Sequence, residues 1–186
     1  MTKIDLAFKA LKRVNFLPPT AKLLAGFDMP LSIGHSQTNS QPTTVHRMLE
    51  WLDPQSGDKI LDIGSGSGWT TALLAHIVGP KGQIYAVERV PELVEFGRKN
   101  ATKAGVKNAE FSQSGKKFGL PEYAPFDRIL VSASADKFPA ELLDQLKPGG
   151  KLVIPVQSSI LEVTKSKNGQ IKTNEHPGFI FVPLIK

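Results

Sequence analysis

The stretch Lys59-Ile60-Leu61-Asp62-Ile63-Gly64-Ser65-Gly66-Ser67-Gly68-Trp69-Thr70 constrains the fold more than any other part of the chain. An apolar run stops at a carboxylate, three glycines follow at alternate positions, and a helix-forming segment, Thr70 to Ile77, comes next. This is the pattern of a buried parallel strand turning into a helix over a ligand. Glycine carries no Cβ, so the backbone can turn sharply and a ligand can come close to it. The helix N-terminus then presents free N–H groups to that ligand.

The glycine spacing selects among ligands. A dinucleotide fingerprint needs Gly at 64, 66 and 69, but residue 69 is Trp and the third glycine is Gly68. The stretch holds no Gly-Lys-Ser/Thr, which excludes a phosphate-binding P-loop. Gly-x-Gly-x-Gly after an acidic strand end resembles motif I of the class I methyltransferases, which bind S-adenosylmethionine. Read alone, it is also compatible with a plain strand–helix turn. Gln83-Ile84-Tyr85-Ala86-Val87-Glu88 reads as a second strand ending in a carboxylate, with a helix from Pro91 to about Lys103 and Gly105 just beyond it. Glu88 stands 20 residues after Gly68, where doubly wound folds place the acid that accepts the ribose hydroxyls. The alternative for Glu88 is an exposed acid leading a helix.

The rest of the chain continues the alternation. A helix is expected over residues 2–14, broken by Pro18-Pro19, then a short helical stretch from Thr20 to Ala25, a loop from Phe27 to Gln41, and a helix over 42–52. Strands are expected near 59–64, 83–88, 109–112, 127–132 and 151–156, with helices near 68–77, 91–104 and 138–146. Ile129-Leu130-Val131 and Leu152-Val153-Ile154 are unbroken apolar runs, as strands buried on both faces require. Lys147-Pro148-Gly149-Gly150 reads as a turn ahead of the fifth strand, and Asn168-Gly169 as the tip of a hairpin. Gly178 to Leu184 reads as a last strand.

The expected fold is α/β: a doubly wound, mostly parallel Rossmann-like sheet with an antiparallel C-terminal hairpin and an N-terminal helical segment. At 186 residues one domain is expected. Residues 1–53 would form its N-terminal segment and 54–186 its cofactor-binding core. The ligand should lie beyond the carboxyl ends of the strands. There Gly64–Gly68, Glu88, the loop Ser112–Phe118 and the loop Ser132–Ala135 converge.

Composition narrows the chemistry. The chain has no cysteine, which excludes disulfides, thiolate metal sites and a cysteine nucleophile and suits a reducing cytoplasm. No apolar run reaches the length of a membrane span, and residues 1–14 lack the apolar core of a signal sequence. A net charge of +6 is spread along the chain, apart from small clusters such as Lys116-Lys117, and no Arg/aromatic stacking motif accompanies it. A nucleic-acid partner is therefore not expected. The four histidines, His35, His46, His76 and His176, lack metal-ligand spacing, and no metal is expected.

Pro30-Leu31-Ser32-Ile33-Gly34-His35-Ser36-Gln37-Thr38-Asn39-Ser40-Gln41-Pro42 resembles the signature loop of the protein-L-isoaspartate O-methyltransferase family. Further blocks match in order: Leu61–Gly68, Tyr85–Leu93, Gly119-Leu120-Pro121, Ala124–Asp127, Leu146–Val156 and Phe181–Leu184. The resemblance implies methyl transfer from S-adenosylmethionine to the α-carboxylate of isoaspartyl residues in damaged proteins and peptides, leaving S-adenosylhomocysteine. The ester then collapses to a succinimide that can reopen to aspartate. By the same resemblance Ser40 is the active-site serine, and Thr38, Gln37 and His35 contact the substrate. Asp62, Gly64, Ser65, Gly66, Gly68, Glu88, Arg89 and Ser132 are the expected cofactor contacts. A cytoplasmic monomer is expected.

The residue chemistry suits that substrate. A carboxylate with a pKa near 3.5–4 is already a charged nucleophile at about pH 7. It needs alignment and a partly dry site rather than a base. Ser40 can orient it by a hydrogen bond, although a serine ahead of Pro42 also suits a helix N-terminus. Trp51 is expected to pack from its helix onto the sheet, and Trp69 to shield the site. Val131-Ser132-Ala133-Ser134-Ala135 lacks the Asn/Asp-Pro-Pro-aromatic element of amino-group methyltransferases.

Three departures stand out. Where the family carries Gly-Asp-Gly after strand three, this chain has Ser114-Gly115-Lys116. Ser36 replaces a glycine and Asn39 an apolar residue. The chain starts late, so the family's first helix is expected to be shortened or missing. The lost acid supports a second reading, a non-catalytic relative that binds a protein partner. A class I methyltransferase acting on a small molecule or an RNA is the third.

Overall fold

The computed structural model describes residues 1–185. Its centre is a seven-stranded sheet. Five parallel strands, β3 (Lys59–Ile63), β4 (Gln83–Glu88), β5 (Ala109–Gln113), β6 (Phe126–Val131) and β7 (Leu146–Val156), are extended by two antiparallel ones, β8 (Ser159–Lys165) and β9 (Ile171–Pro177). The order is β5-β4-β3-β6-β7-β8-β9. The chain winds outward from β3 to one edge, then crosses back to begin again at β6. The gap above the adjacent ends of β3 and β6 is thus the switch point at which such sheets bind ligands. The expected doubly wound sheet with its antiparallel finish is the fold observed.

Alternate residues of each strand feed opposite faces. Ile60, Ile84, Leu130, Val153 and Ile160 pack under helices α1 (Lys3–Ala10), α2 (Pro42–Leu52) and α3 (Trp69–Val78). Leu61, Val87, Ile129, Leu152 and Val163 face a second core closed by the short helix α5 (Glu141–Asp144) and the segments carrying Phe118, Leu120 and Phe138. Helix α4 (Pro91–Lys103) packs against α3 and β5.

Five elements differ from the sequence-based expectations. The first helix stops at Ala10 and gives way to a 3-10 turn, Arg13–Phe16, which swings Arg13 inward to burial. The carbonyl of Leu11, left free at the helix end, accepts the Trp69 indole N–H at 3.0 Å. The loop expected over 27–41 contains a hairpin, β1 (Leu31–Gly34) and β2 (Gln37–Asn39), a sheet of its own. The helix expected over 138–146 shrinks to α5, because Leu146 already pairs with Phe126 as the start of β7. The turn Lys147–Gly150 is looped out within β7: the next pair in register is Arg128 with Lys151. The last strand expected at 178–184 does not form. The third hairpin strand, β9, ends at Pro177, Gly178 takes φ +93, and 179–184 crosses over the sheet end with a lone bridge between Ser134 and Pro183. The Asn168-Gly169 hairpin forms as expected, with Gly169 at φ +85. Trp51 packs on the sheet through His176 of β9, ring on ring at 3.9 Å.

Candidate active site

The glycine turn joins β3 to α3. Ser132 leaves β6 beside it, its N–H donating to the Ile63 carbonyl at 2.8 Å. A Cβ on Gly64 would sit 3.7 Å from Ser132, so the two switch-point loops are in contact. Glu88 holds the turn from the end of β4. Its Oε2 accepts from the Gly66 N–H at 3.0 Å, and its Oε1 from the Arg89 and Val90 N–H groups at 2.7 and 3.0 Å. A buried carboxylate with three backbone donors is a rigid post; Oε1 is filled by its two donors, and Oε2, with one, keeps acceptor capacity for a ligand hydroxyl.

Asp62 lies below the turn and is fully buried. Its Oδ2 accepts from the Thr71 hydroxyl at 2.6 Å, while its Oδ1 has no partner. Burial pushes its carboxyl up to about 7, against the Thr71 hydrogen bond and with help from the Glu88 charge. The Ser65 hydroxyl is likewise buried without a partner.

The acceptor side is the β1–β2 hairpin and Ser40. His35 and Ser36 form the two-residue tip, at φ 53 and 57, the pair of left-handed residues that a tight hairpin turn requires. Ile33 points inward: its Cδ1 would be 3.2 Å from a Cβ on Gly66, so the hairpin lies directly over the bare part of the glycine turn. The N-terminus of α2 is capped from a distance by Asp28. Its Oδ1 accepts the Thr43 N–H at 2.8 Å and its Oδ2 the Thr43 hydroxyl at 2.7 Å, and those bonds hold its carboxyl below the usual range. Ser40, one residue outside Gln41 at the helix boundary, is therefore not the cap of α2.

Three hollows meet at this point. A cleft runs over Gly64, Gly66, Val87, Glu88 and Arg89 to Ser114, Gly115, Lys117 and Phe118, roofed by Ile33 and by Val182–Ile185. A groove runs over Pro30, Thr38, Ser40, Gln41 and Thr44 to Phe179, Ile180 and Phe181. A small polar hollow lined by Thr38, Asn39, Ser40, Gly64–Ser67, Trp69 and Ser132 lies between them. Thr38 and Ser132 line all three.

The structure thus brings Ser40, Thr38, Gly64, Ser65, Gly66, Glu88, Arg89 and Ser132 to connected hollows. Gln37 lines the cleft and not the groove, and His35 stands exposed at the hairpin tip, lining none of them. Asp62 lies under the cleft. Gly68, also outside it, is a packing residue: a Cβ there would meet the Gly97 carbonyl oxygen at 2.6 Å. Trp69 is buried against Phe8 and contributes only to the small hollow. The sequence reading missed Ile33 as a roof and Arg13 as a buried anchor. Ile33 carried the faint signal of the Leu31-Ser32-Ile33 alternation.

A switch-point cleft with a glycine turn, a strand-end acid and an adjoining groove defines a class I S-adenosylmethionine-dependent methyltransferase. A family model described as Protein-L-isoaspartate(D-aspartate) O-methyltransferase (PCMT) matches residues 1–186, and the chain belongs to that family. It is 45% identical over 188 residues to the protein-L-isoaspartate O-methyltransferase of Pyrococcus horikoshii, covering 98% of this chain and 84% of that one. With the protein of the same name from Aeropyrum pernix it shares 45% over 184 residues, covering 96% of this chain and 71% of the other. A solved protein-L-isoaspartate O-methyltransferase structure superposes with a TM-score of 0.88 at 26% identity, covering all of this chain and 62% of that one. A Plasmodium falciparum beta-aspartate methyltransferase (PCMT), in complex with S-adenosyl-L-homocysteine, gives 0.86 at 26% identity, covering 100% and 91%.

The residues present fit S-adenosylmethionine. A buried carboxylate oxygen without a partner lies beneath the turn, the turn is bare where the ligand must approach, and the strand-end acid faces the cleft. The loop after β5 lacks the expected acid, yet its Ser114 N–H is tied to the Glu88 carbonyl at 2.9 Å and it still forms the cleft's far wall.

Proposed function

We propose that this chain methylates the α-carboxylate of isoaspartyl residues in proteins and peptides, with Ser40 orienting the acceptor and the Gly64–Gly68 turn holding the cofactor. The observation that carries this reading is the meeting of cleft and groove at Thr38 and Ser132, with Ser40 lining the groove and the small hollow between them. S-adenosylmethionine, when bound, supplies an electrophilic methyl group on a sulfonium. Glu88 would accept a ribose hydroxyl at Oε2, and Ser114 and Gly115 would flank the base, while Asp62, buried out of contact with the cleft, would hold the turn's end through Thr71. Ser40 and Thr38 donate hydrogen bonds to the acceptor carboxylate and leave one oxygen facing the junction. No residue takes a proton, because the acceptor is already ionised; the protein aligns it at roughly 3–3.5 Å and keeps water out. The wall of Phe179, Ile180 and Phe181 gives the substrate chain an apolar side to lie on.

The chain works as one domain. Supporting this, Ile4, Ala7 and Phe16 of the N-terminal segment share a core with Leu73, Leu130 and Ile160 of the sheet unit. Among the described residues no helix is long and apolar enough to cross a membrane. We place the enzyme in the cytoplasm as a monomer without a nucleic-acid partner, in keeping with its lack of cysteine and its dispersed charge.

The test is methylation of an isoaspartyl peptide and its normal aspartyl twin. Only the first should accept a base-labile methyl group. Ser40→Ala should lower kcat/KM about 10- to 100-fold, the loss of one hydrogen bond to a charged group, and leave measurable turnover. The wild-type rate at saturating cofactor should be nearly flat above about pH 5. Equal labelling of both peptides would refute the isoaspartyl assignment.

A further inference from the structure

Arg13 is a buried cation whose hydrogen bonds all go to uncharged acceptors. Its Nε donates to Asn39 Oδ1 at 2.7 Å, its Nη1 to the Phe27 carbonyl at 3.0 Å, and its Nη2 to the carbonyls of Met29, Asn39 and Ser40 at 2.7, 3.1 and 3.0 Å. The guanidinium also stands 5.8 Å from the centre of the Trp69 ring, at the start of α3. Arginine has donors only, so Asn39 must turn its oxygen to Arg13. Its amide nitrogen then faces the other way and donates to the Ser67 hydroxyl at 3.0 Å. Ser67 is a buried member of the glycine turn, and its carbonyl accepts from Asn100 of α4 at 3.0 Å.

A continuous polar strut therefore runs from the carbonyl of Ser40, through Arg13 and Asn39, to the turn beneath the cofactor cleft. The acceptor hairpin shares no strand pairing with the main sheet, so this strut is its direct hydrogen-bonded tie to that turn. We propose that Arg13 and Asn39 are positioning residues that couple the cofactor turn to Ser40, so that filling the cofactor cleft fixes the acceptor loop. A ligand that rigidifies one end of a hydrogen-bonded chain lowers the ordering cost at the other, and the two binding events become cooperative. The cofactor-side element rests on the family's chemistry; the acceptor-side consequence rests on the reading of Ser40 given above.

The measurement is amide hydrogen exchange of the segment containing Thr38, Asn39 and Ser40, without and with saturating S-adenosylhomocysteine, in the whole chain. In the wild type the ligand should slow exchange there on the order of tenfold. Ser67→Ala, which removes only the acceptor of the Asn39 amide, should cut that protection to under about twofold, and Asn39→Leu should do the same. The double variant should lose no more than either single one. If Arg13→Met does not fold, these two milder variants still decide the matter. Undiminished protection in both Ser67→Ala and Asn39→Leu overturns the proposal. So does a wild type in which the ligand leaves the segment's exchange unchanged. In methylation assays the same variants should lose kcat at saturating substrate and cofactor, and Arg13→Lys, which keeps the charge but not the fork, should follow them. A wild type that shows the exchange coupling yet leaves the isoaspartyl peptide unmethylated would refute the substrate reading and leave the strut standing.

Discussion

The two walls of the junction are held in different ways. Gly64 and Ser132 leave neighbouring parallel strands, and Glu88, itself fixed by the Arg89 and Val90 N–H groups, holds the turn by the Gly66 N–H. Opposite them, Thr38 and Ser40 hang on a two-stranded sheet that meets the main one only through side chains: Ile33 over Gly66, Asn39 on Ser67, Arg13 beneath Ser40. One wall is backbone against backbone and has a single arrangement. The other is a separate plate held by side chains, Leu31 and Ile33 packing with Leu17, Ala21 and Leu93 beside the polar contacts of Asn39 and Arg13. Such a division suits a transferase that keeps one small cofactor and must admit many damaged chains.

The hardest way to break the rigid wall is at Gly68. Its φ is +81, and a Cβ there would meet Gly97's carbonyl oxygen at 2.6 Å, backbone on backbone with nothing flexible to yield. Gly68→Val should cost more than about 3 kcal/mol, from the strain and the forced separation of α3 and α4. Gly66 is the control on the other side. Its nearest obstacle is the Ile33 side chain at 3.2 Å, which can swing away with the hairpin. Gly66→Val should therefore melt closer to wild type while losing the cofactor. Thermal melts of both variants check this, and a Gly68→Val protein as stable as Gly66→Val would undo the contrast.

Under the same wall, Asp62 makes stability depend on pH. Its carboxyl is raised from 3.8 to about 7 by burial, so between those values the folded chain holds a proton that the unfolded chain has released. Stability must then fall as pH rises from about 4 to about 7, by up to about 4 kcal/mol from this group alone. Asp62→Asn should flatten that part of the profile and leave the ligand-free protein more stable than wild type at pH 8. Urea titrations from pH 5 to 8 measure it; parallel profiles for the two proteins would mean that the buried carboxylate is compensated in solution.

The clamp itself tests whether the wall and the cofactor site are one object. Glu88→Ala strips three N–H groups of a charged acceptor as well as removing the ribose contact. Affinity for S-adenosylhomocysteine should fall on the order of 100-fold by calorimetry, about 3 kcal/mol. Glu88→Gln keeps one acceptor oxygen but turns an NH2 toward a backbone donor, and should lose about tenfold. Equal effects of the two would show that charge, not the fit of the turn, governs binding.

The sequence made these walls unequally legible, for a physical reason. The rigid wall is local: strand, glycines, helix and strand-end acid occupy Lys59–Thr70 and Gln83–Glu88 in order, and the parallel strands announce themselves as unbroken apolar runs. The plate is assembled from distant residues. Arg13 reads as one more base on an amphipathic helix until it is seen buried, and α2 is capped by Asp28 from across a turn, where local capping patterns have no purchase. The β1–β2 strands are too short for alternation to rise above loop, and their tip carries no glycine at the two left-handed positions. At the C-terminus, the apolar run Phe179–Val182 has the composition of a strand. Gly178 and Pro183 on its flanks keep it out of the sheet and leave it as a wall of the groove.

That glycine-free tip gives the smallest and cleanest probe of the plate. Ser36 sits at φ 57, a conformation that costs a residue with a Cβ about 1 kcal/mol relative to glycine, and it is exposed, so no contact is lost when it changes. Ser36→Gly relieves the left-handed strain but gives the unfolded chain more freedom, which offsets part of the gain. The net should be a stabilisation of up to roughly 0.5 kcal/mol, about a degree or two in Tm for a chain of this size. If the plate is separate as described, the gain should appear as slower exchange of the hairpin amides and leave the exchange of β3 and β4 untouched. A stabilisation spread evenly over the sheet would mean that hairpin and sheet unfold as one unit, and the distinction between a rigid wall and a separate plate would fail.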